Sequence, residues 1–146
     1  MTVSAPVSDL FTAAIAASAS AYAPYSRFAV GAAVETHDGR VFSAANMENA
    51  SYGLSVCAEL GALHAASSAG AFAEIVRIAV VGAPLDTPTT GQIVTPCGRC
   101  RQLILESAHA GGRDIAIHCA DTGLSVTAQF TISELLPHGF GPANLR

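Results

Sequence analysis

The chain contains no lysine, and its seven basic residues are all arginine. That absence excludes a lysine Schiff base and the phosphate-gripping lysine of a nucleotide-binding loop. Charge of either sign is scarce, 12% of 146 positions, and the net charge is −4. A duplex or a long single strand of nucleic acid requires a basic footprint, and there is none here, so a small-molecule substrate fits better than nucleic acid. No stretch is long and apolar enough to span a bilayer. The start, Met1-Thr2-Val3-Ser4-Ala5-Pro6, has no charged segment followed by an apolar run. The expectation is a cytoplasmic protein without a membrane partner.

The hydrophobic share is 51%. One domain covering residues 1–146, with one core, suits this length. With so little charge, part of the uncharged surface is expected to be buried between subunits, which favours a homo-oligomer. The four cysteines allow two disulfides on paper. In an intracellular chain of this size, metal binding is the better reading.

Two stretches concentrate the chemistry: Cys57-Ala58-Glu59 and Thr95-Pro96-Cys97-Gly98-Arg99-Cys100. Hydrolytic zinc needs three protein ligands, an open fourth position and a nearby base that is not itself a ligand. Cys97 and Cys100 form a C-x-x-C at a predicted helix start, Cys57 supplies the third thiol, and Glu59 lies two residues on. Helix N-termini favour thiolates, and Pro96 fits such a start. A redox C-x-x-C is the plainer alternative, but it leaves Cys57 and Glu59 without a role. Taken alone, Glu59 is an ordinary first-turn glutamate. Beside zinc it reads as the general acid/base, a proton carrier for the zinc-bound water. Cys119 lies mid-strand and reads as a small buried hydrophobe.

Along the chain, Ser8-Asp9 cap a predicted helix to about Ala21. Strands follow at Phe28–Glu35 and Arg40–Ala45 around His37-Asp38-Gly39. A polar loop over 46–55 leads to a helix at Val56–Ser68. Glu74–Val81 reads as a central strand, Gly82–Thr95 as a loop, and Cys97–Ala108 as a helix stopped by Gly111-Gly112. Strands Asp114–Cys119 and Leu124–Thr127 flank a short Asp121-Thr122-Gly123 turn, and Ile132–Leu136 is a short helix. This order implies an α/β fold, a mixed five-stranded sheet layered by helices.

The two stretches match the three-cysteine form of the zinc nucleobase deaminase signature. Further blocks, Tyr25-Ser26-Arg27-Phe28-Ala29-Val30-Gly31, Asn46-Met47-Glu48-Asn49-Ala50-Ser51-Tyr52-Gly53 and Leu135-Leu136-Pro137-His138-Gly139-Phe140, resemble the small homotetrameric cytidine deaminases over nearly the whole chain. The resemblance implies a three-layer α/β/α cytidine-deaminase-like fold, a zinc cofactor and a nucleoside substrate. It assigns Phe28 to stacking on the pyrimidine, and Asn46 and Glu48 to the ribose 3′-hydroxyl. The backbone N–H of Ala58 goes to the pyrimidine carbonyl, and Ala50, Tyr52 and Phe140 go to a neighbouring subunit's pocket. Core packing and solvated loops are the bland readings of the same residues.

One departure concerns charge. Many three-cysteine relatives carry arginine directly after the glutamate, where this chain has Leu60; Arg99, Arg101 and the helix N-termini are left to offset three thiolates. A Cys-Ala-Glu-Leu string also occurs in blasticidin-type deaminases, which makes deamination of a cytosine-bearing antibiotic the rival activity. A non-catalytic zinc module is the rival from another class, and a nucleic-acid editor is disfavoured by the acidic balance.

Overall fold

A computed structural model describes residues 6–146. The first helix, α1 (Val7–Ser18), follows Pro6 without a side-chain cap, so Ser8 and Asp9 lie inside the first turn rather than before it. It stops three residues short of the expected Ala21. There the Ser18 hydroxyl donates to Ile15 O at 2.6 Å, and the amides of Ser20 and Ala21 close tight turns onto Ala17 and Ser18.

The sheet consists of β1 (Phe28–Thr36), β2 (Val41–Ala45), β3 (Ile75–Pro84), β4 (Ala116–Asp121) and β5 (Thr127–Thr131), in the order β2-β1-β3-β4-β5. Only the β3–β4 pair is parallel. The hairpin between β1 and β2 turns where expected, with Gly39 left-handed at φ 89°. The central strand runs on to Pro84, so the first residues of the expected Gly82–Thr95 loop belong to β3.

The last hairpin corrects the sequence reading. The final strand starts at Thr127, not Leu124, and β4 reaches Asp121. Leu124 is left-handed at φ 54°, and the amides of Ser125 and Val126 donate to the Asp121 carboxylate. Residues 122–126 therefore wrap around a side chain and leave the ladder.

Helices α2 (Ala58–Ser68) and α3 (Gly98–Gly111) cover one sheet face. Ala62, Leu63, Ile104 and Leu105 close over Val34, Ile78, Val80 and Ile117. Among the described residues, the opposite face carries α1 alone, with Leu10, Phe11 and Ala14 on Ala33, Ala79, Val81 and Ala120. The alternation of Val34 and Val80 to one side with Ala33 and Ala79 to the other is the strand period of two. Small residues let α1 lie close, and a Cβ on Gly31 would come within 1.9 Å of Ala14 O. The result is the expected α/β/α layering around a mixed five-stranded sheet. A short α4 (Ile132–Leu135) is fixed by a capping box between Thr131 and Glu134, and 3-10 turns at Tyr52–Leu54 and Pro142–Leu145 interrupt what read as loop and tail.

Candidate active site

A parallel pair needs a crossover, and its strands' carboxyl ends open a crevice where ligands bind in α/β sheets. Here the crossover leaves β3 at Pro84, passes through residues 85–96 and enters α3. Cys97 is the extended residue before α3 (φ −67°, ψ 168°) and Cys57 holds the same position before α2 (φ −72°, ψ 152°). Neither helix start has a side-chain cap, so the first-turn N–H groups at both places have no intrahelical acceptor and favour negative charge.

The thiols of Cys57, Cys97 and Cys100 all lie within 4.8 Å of one another. Cys57 Sγ and Cys97 Sγ are 3.8 Å apart. Two thiolates on a tetrahedral zinc, each about 2.3 Å from it, are separated by about 3.8 Å, so the donor set and its spacing fit that ion. A hydrogen bond from the Cys100 thiol, helped by Cys97 and the Arg99 charge, lowers the pKa of Cys57 to about 6; its partner Cys100 is pushed up in exchange. Cys119 stands apart, fully buried in β4, where burial raises its thiol to about 12.

Glu59, in the first turn of α2, is 4% exposed. Burial first, and then the Cys57 charge, raise its carboxyl above the ordinary range. It lines a cleft of about 270 Å³ together with Ala58, Cys57, Cys97, Asn46 and Glu48. Val30, Ser55, Val56, Val94 and Thr95 complete the wall; the sequence assigned none of them a role, although Thr95 opens the Thr95–Cys100 stretch and Val30 lies in the block that starts at Tyr25. A larger groove of about 670 Å³ lies between the end of α3 and the tail, lined by His109, Arg113, Asp114 and Arg146, but it contains no such set of metal donors.

The remaining named residues divide into two groups. Asn46 extends the β1–β2 ladder with its side chain, Oδ1 accepting from Val30 N and Nδ2 donating to Phe28 O, both at 2.9 Å. Glu48 accepts from the amides of Tyr25 (2.9 Å) and Ser26 (3.1 Å), and hydrogen bonds from Ser26 and Tyr25 hold its carboxyl below the usual range. Phe28 is not among the residues that line the cleft; its ring lies over Gly82 next to the lining residues Val94 and Val30, since a Cβ on Gly82 would meet all three side chains within 3.3 Å. Ala50, Tyr52 and Phe140 do not line the cleft of their own chain. They are exposed, with Tyr52 at 74% and Phe140 at 59%; the Tyr52 ring meets Tyr25 edge-on, and the Phe140 carbonyl accepts from Gln102.

The two arginines near the thiols also separate. Arg99 is exposed and acts on Cys57 through its charge. Arg101 donates to Pro96 O (2.7 Å), Leu135 O (2.8 Å) and Thr95 Oγ1 (3.2 Å), tying the thiol-bearing turn to α4.

Comparison with known proteins agrees with this geometry. A cytidine deaminase of Halalkalibacterium halodurans is 44% identical over 131 residues, 90% of this chain and 91% of its own. A cytidine deaminase of Mycobacterium tuberculosis is 41% identical over 125 residues, 86% of this chain and 82% of its own. The crystal structure of cytidine deaminase from Burkholderia pseudomallei superposes with a TM-score of 0.82 at 41% identity, covering 93% of this chain and all of the other. Residues 6–112 match the family described as the cytidine and deoxycytidylate deaminase zinc-binding region. With its three-thiol cluster at paired helix starts, the chain belongs to the zinc-binding cytidine and deoxycytidylate deaminase family.

Proposed function

We propose that the chain, as a single catalytic domain, hydrolytically deaminates cytidine and 2′-deoxycytidine to uridine and 2′-deoxyuridine with release of ammonia, in pyrimidine salvage in the cytoplasm. The observation that carries this reading is a buried carboxyl, Glu59, in one cleft with Cys57 and Cys97, whose thiols cluster with that of buried Cys100 at zinc spacing. Its membership of the family and its likeness to cytidine deaminases support the choice of substrate.

Cys57, Cys97 and Cys100 would hold zinc, which when bound supplies a hydroxide nucleophile at neutral pH by lowering the pKa of water. Glu59 takes the proton lost from that water and places it on N3 of the cytosine, which opens C4 to attack. It then carries the proton of the hydroxyl added at C4 to the amino group, and as the C4 carbonyl forms ammonia leaves. The first-turn N–H of Ala58 holds the pyrimidine carbonyl, and Phe28 stacks on the ring. Asn46 and Glu48 hold the ribose 3′-hydroxyl. An ionised Glu48 at the sugar end disfavours a dianionic phosphate, so the nucleoside is preferred to the nucleotide.

Ala50, Tyr52 and Phe140 are assigned to the cleft of a neighbouring subunit in a homo-oligomer, in its fullest form a homotetramer. Their exposure, and their absence from the cleft of their own chain, support that assignment. Leu60 after the proton carrier raises one second reading slightly, a deaminase of a cytosine-bearing antibiotic of the blasticidin type, and Asn46-x-Glu48 and Asn49-Ala50-Ser51-Tyr52 argue against it.

The test is ammonia release by the purified protein on cytidine, deoxycytidine, CMP and blasticidin S, with zinc per chain measured on the same sample. Fast turnover of the nucleosides with about one zinc per chain upholds the reading. Turnover of the antibiotic alone transfers the assignment to the second reading, and bound zinc without any turnover marks a non-catalytic module.

A further inference from the structure

The carboxylate of Asp121 is fully buried and has no ion-pair partner among the described residues. It sits at the last position of β4, beside the crevice end of the parallel pair. Five donors satisfy it. Thr90 N (2.9 Å) and Gly91 N (3.1 Å) reach Oδ2 from the crossover, Ser125 N (2.7 Å) and Val126 N (3.4 Å) reach Oδ1 from the β4–β5 loop, and the Ser125 hydroxyl adds a fifth. A buried charge is tolerated only where hydrogen bonds replace its water, and here the donors come from one segment about thirty positions upstream of Asp121 and one just after it.

The same junction is reinforced beside the carboxylate. Gly123 N donates to Pro88 O at 2.8 Å, and a Cβ on Gly123 would come within 2.2 Å of Thr89 Oγ1, so any side chain there would displace Thr89. Gly91 is left-handed at φ 72°, which turns the chain toward Gln92, whose amide donates to Thr90 Oγ1 at 3.1 Å. Three residues beyond Gly91 the chain reaches Val94 and Thr95, which line the cleft, and Val94 packs over Gly82 beside Phe28. Arg101 clamps the far end at Thr95 and Pro96.

We infer that Asp121 is a positioning residue for the deamination: by gathering the amides of Thr90 and Gly91 onto β4, it presets the cleft wall at Val94 and Thr95 against which the pyrimidine is held. The catalytic carboxyl sits on α2 and Cys57 directly before it, and this clamp touches neither. The wall contacts substrate and transition state alike, so loosening it weakens binding more than chemistry.

The inference rests on the deaminase reading for its kinetics, and hydrogen exchange provides a readout that needs no turnover. In zinc-loaded full-length Asp121→Asn, exchange across residues 88–95 should rise while α2 and α3 keep their protection. The KM for cytidine should rise about tenfold, with kcat changed less than about threefold, as for the loss of one charge-assisted hydrogen bond. Unchanged exchange and KM would overturn the inference. So would zinc loss with a proportional fall in kcat at constant KM, the mark of a merely structural role. Should that variant fail to fold, Ser125→Ala removes only the hydroxyl donor; KM and exchange should then move the same way, with KM rising about two- to threefold, and no movement is again fatal. A wild type inactive on cytidine would sink the proposed function, and the exchange result would still decide the clamp.

Discussion

Cys57 Sγ and Cys97 Sγ lie 3.8 Å apart although 40 positions separate them in the chain. That distance joins the starts of two helices and brings Cys100 into the same cluster. Replacing Cys57 by Ala should abolish stoichiometric zinc binding and turnover together, and a chelator should lower the Tm of the wild type but not of this variant. Cys119→Ala should keep its zinc and lose about 1 kcal/mol of stability from a small core cavity, because that thiol packs in β4 away from the cluster. Metal analysis and thermal melts on both variants check the pair. Zinc retained by the first or lost by the second would assign the ligands wrongly.

Glu59→Gln preserves volume in a site that is 4% exposed, and removes the only carboxyl that lines the cleft besides Glu48. Zinc content and fold should survive, while kcat on cytidine falls by about a hundred- to ten-thousandfold, the range for removal of a positioned acid–base group. Steady-state rates with zinc measured on the same preparation give the answer, and a wild-type rate would refute the proton-carrier role.

The parts of this molecule that were legible in its sequence are those where local signals and chemistry coincide. Cys57-Ala58-Glu59 and Pro96-Cys97-Gly98 mark helix starts as well as donors, and α2 and α3 begin within two residues of where they were placed. The β1–β2 hairpin follows from Asp38-Gly39 and flanking alternation. The last hairpin was misread because Asp121 has the composition of a turn residue, while its carboxylate binds amides about thirty positions upstream as well as those just ahead. No local pattern announces such a contact. The side chain of Asn46 is similar: it reads as a polar loop residue, yet it continues the ladder beside β1 by bonding Val30 and Phe28.

Asp121 also sets an acid dependence. Hydrogen bonds, led by the Ser125 hydroxyl and joined by the amides of Thr90, Gly91 and Ser125, lower its pKa below the unfolded value of about 3.9. A depressed carboxyl stabilises the fold fully above the unfolded pKa and loses that contribution as pH falls through the folded one. The Tm deficit of Asp121→Asn against wild type should therefore be constant from neutral pH to about 5 and shrink below about 4. Melts of both proteins across that range test it, and a deficit that widens in acid would contradict the assignment of charge to this site.

Phe140 presents the last case, a large aromatic 59% exposed at the end of a chain whose own cleft it does not enter. Leaving a phenyl ring in water costs free energy that a partner surface would recover, and Gln102 fixes the backbone beneath it at Phe140 O, 2.8 Å away. If the ring completes a neighbour's cleft, Phe140→Ala should raise KM for cytidine about tenfold without changing zinc content or the melting of the isolated fold. The sharper measurement is mixing. A Phe140→Ala subunit lacks only the donated ring, and a Cys57→Ala subunit lacks only a functional metal site but still carries its ring. Co-assembled, they should create clefts with intact zinc and a wild-type phenylalanine from next door, so cytidine turnover at low substrate should exceed the sum of the two separate variants. Activity no greater than that sum would place Phe140 outside any shared site.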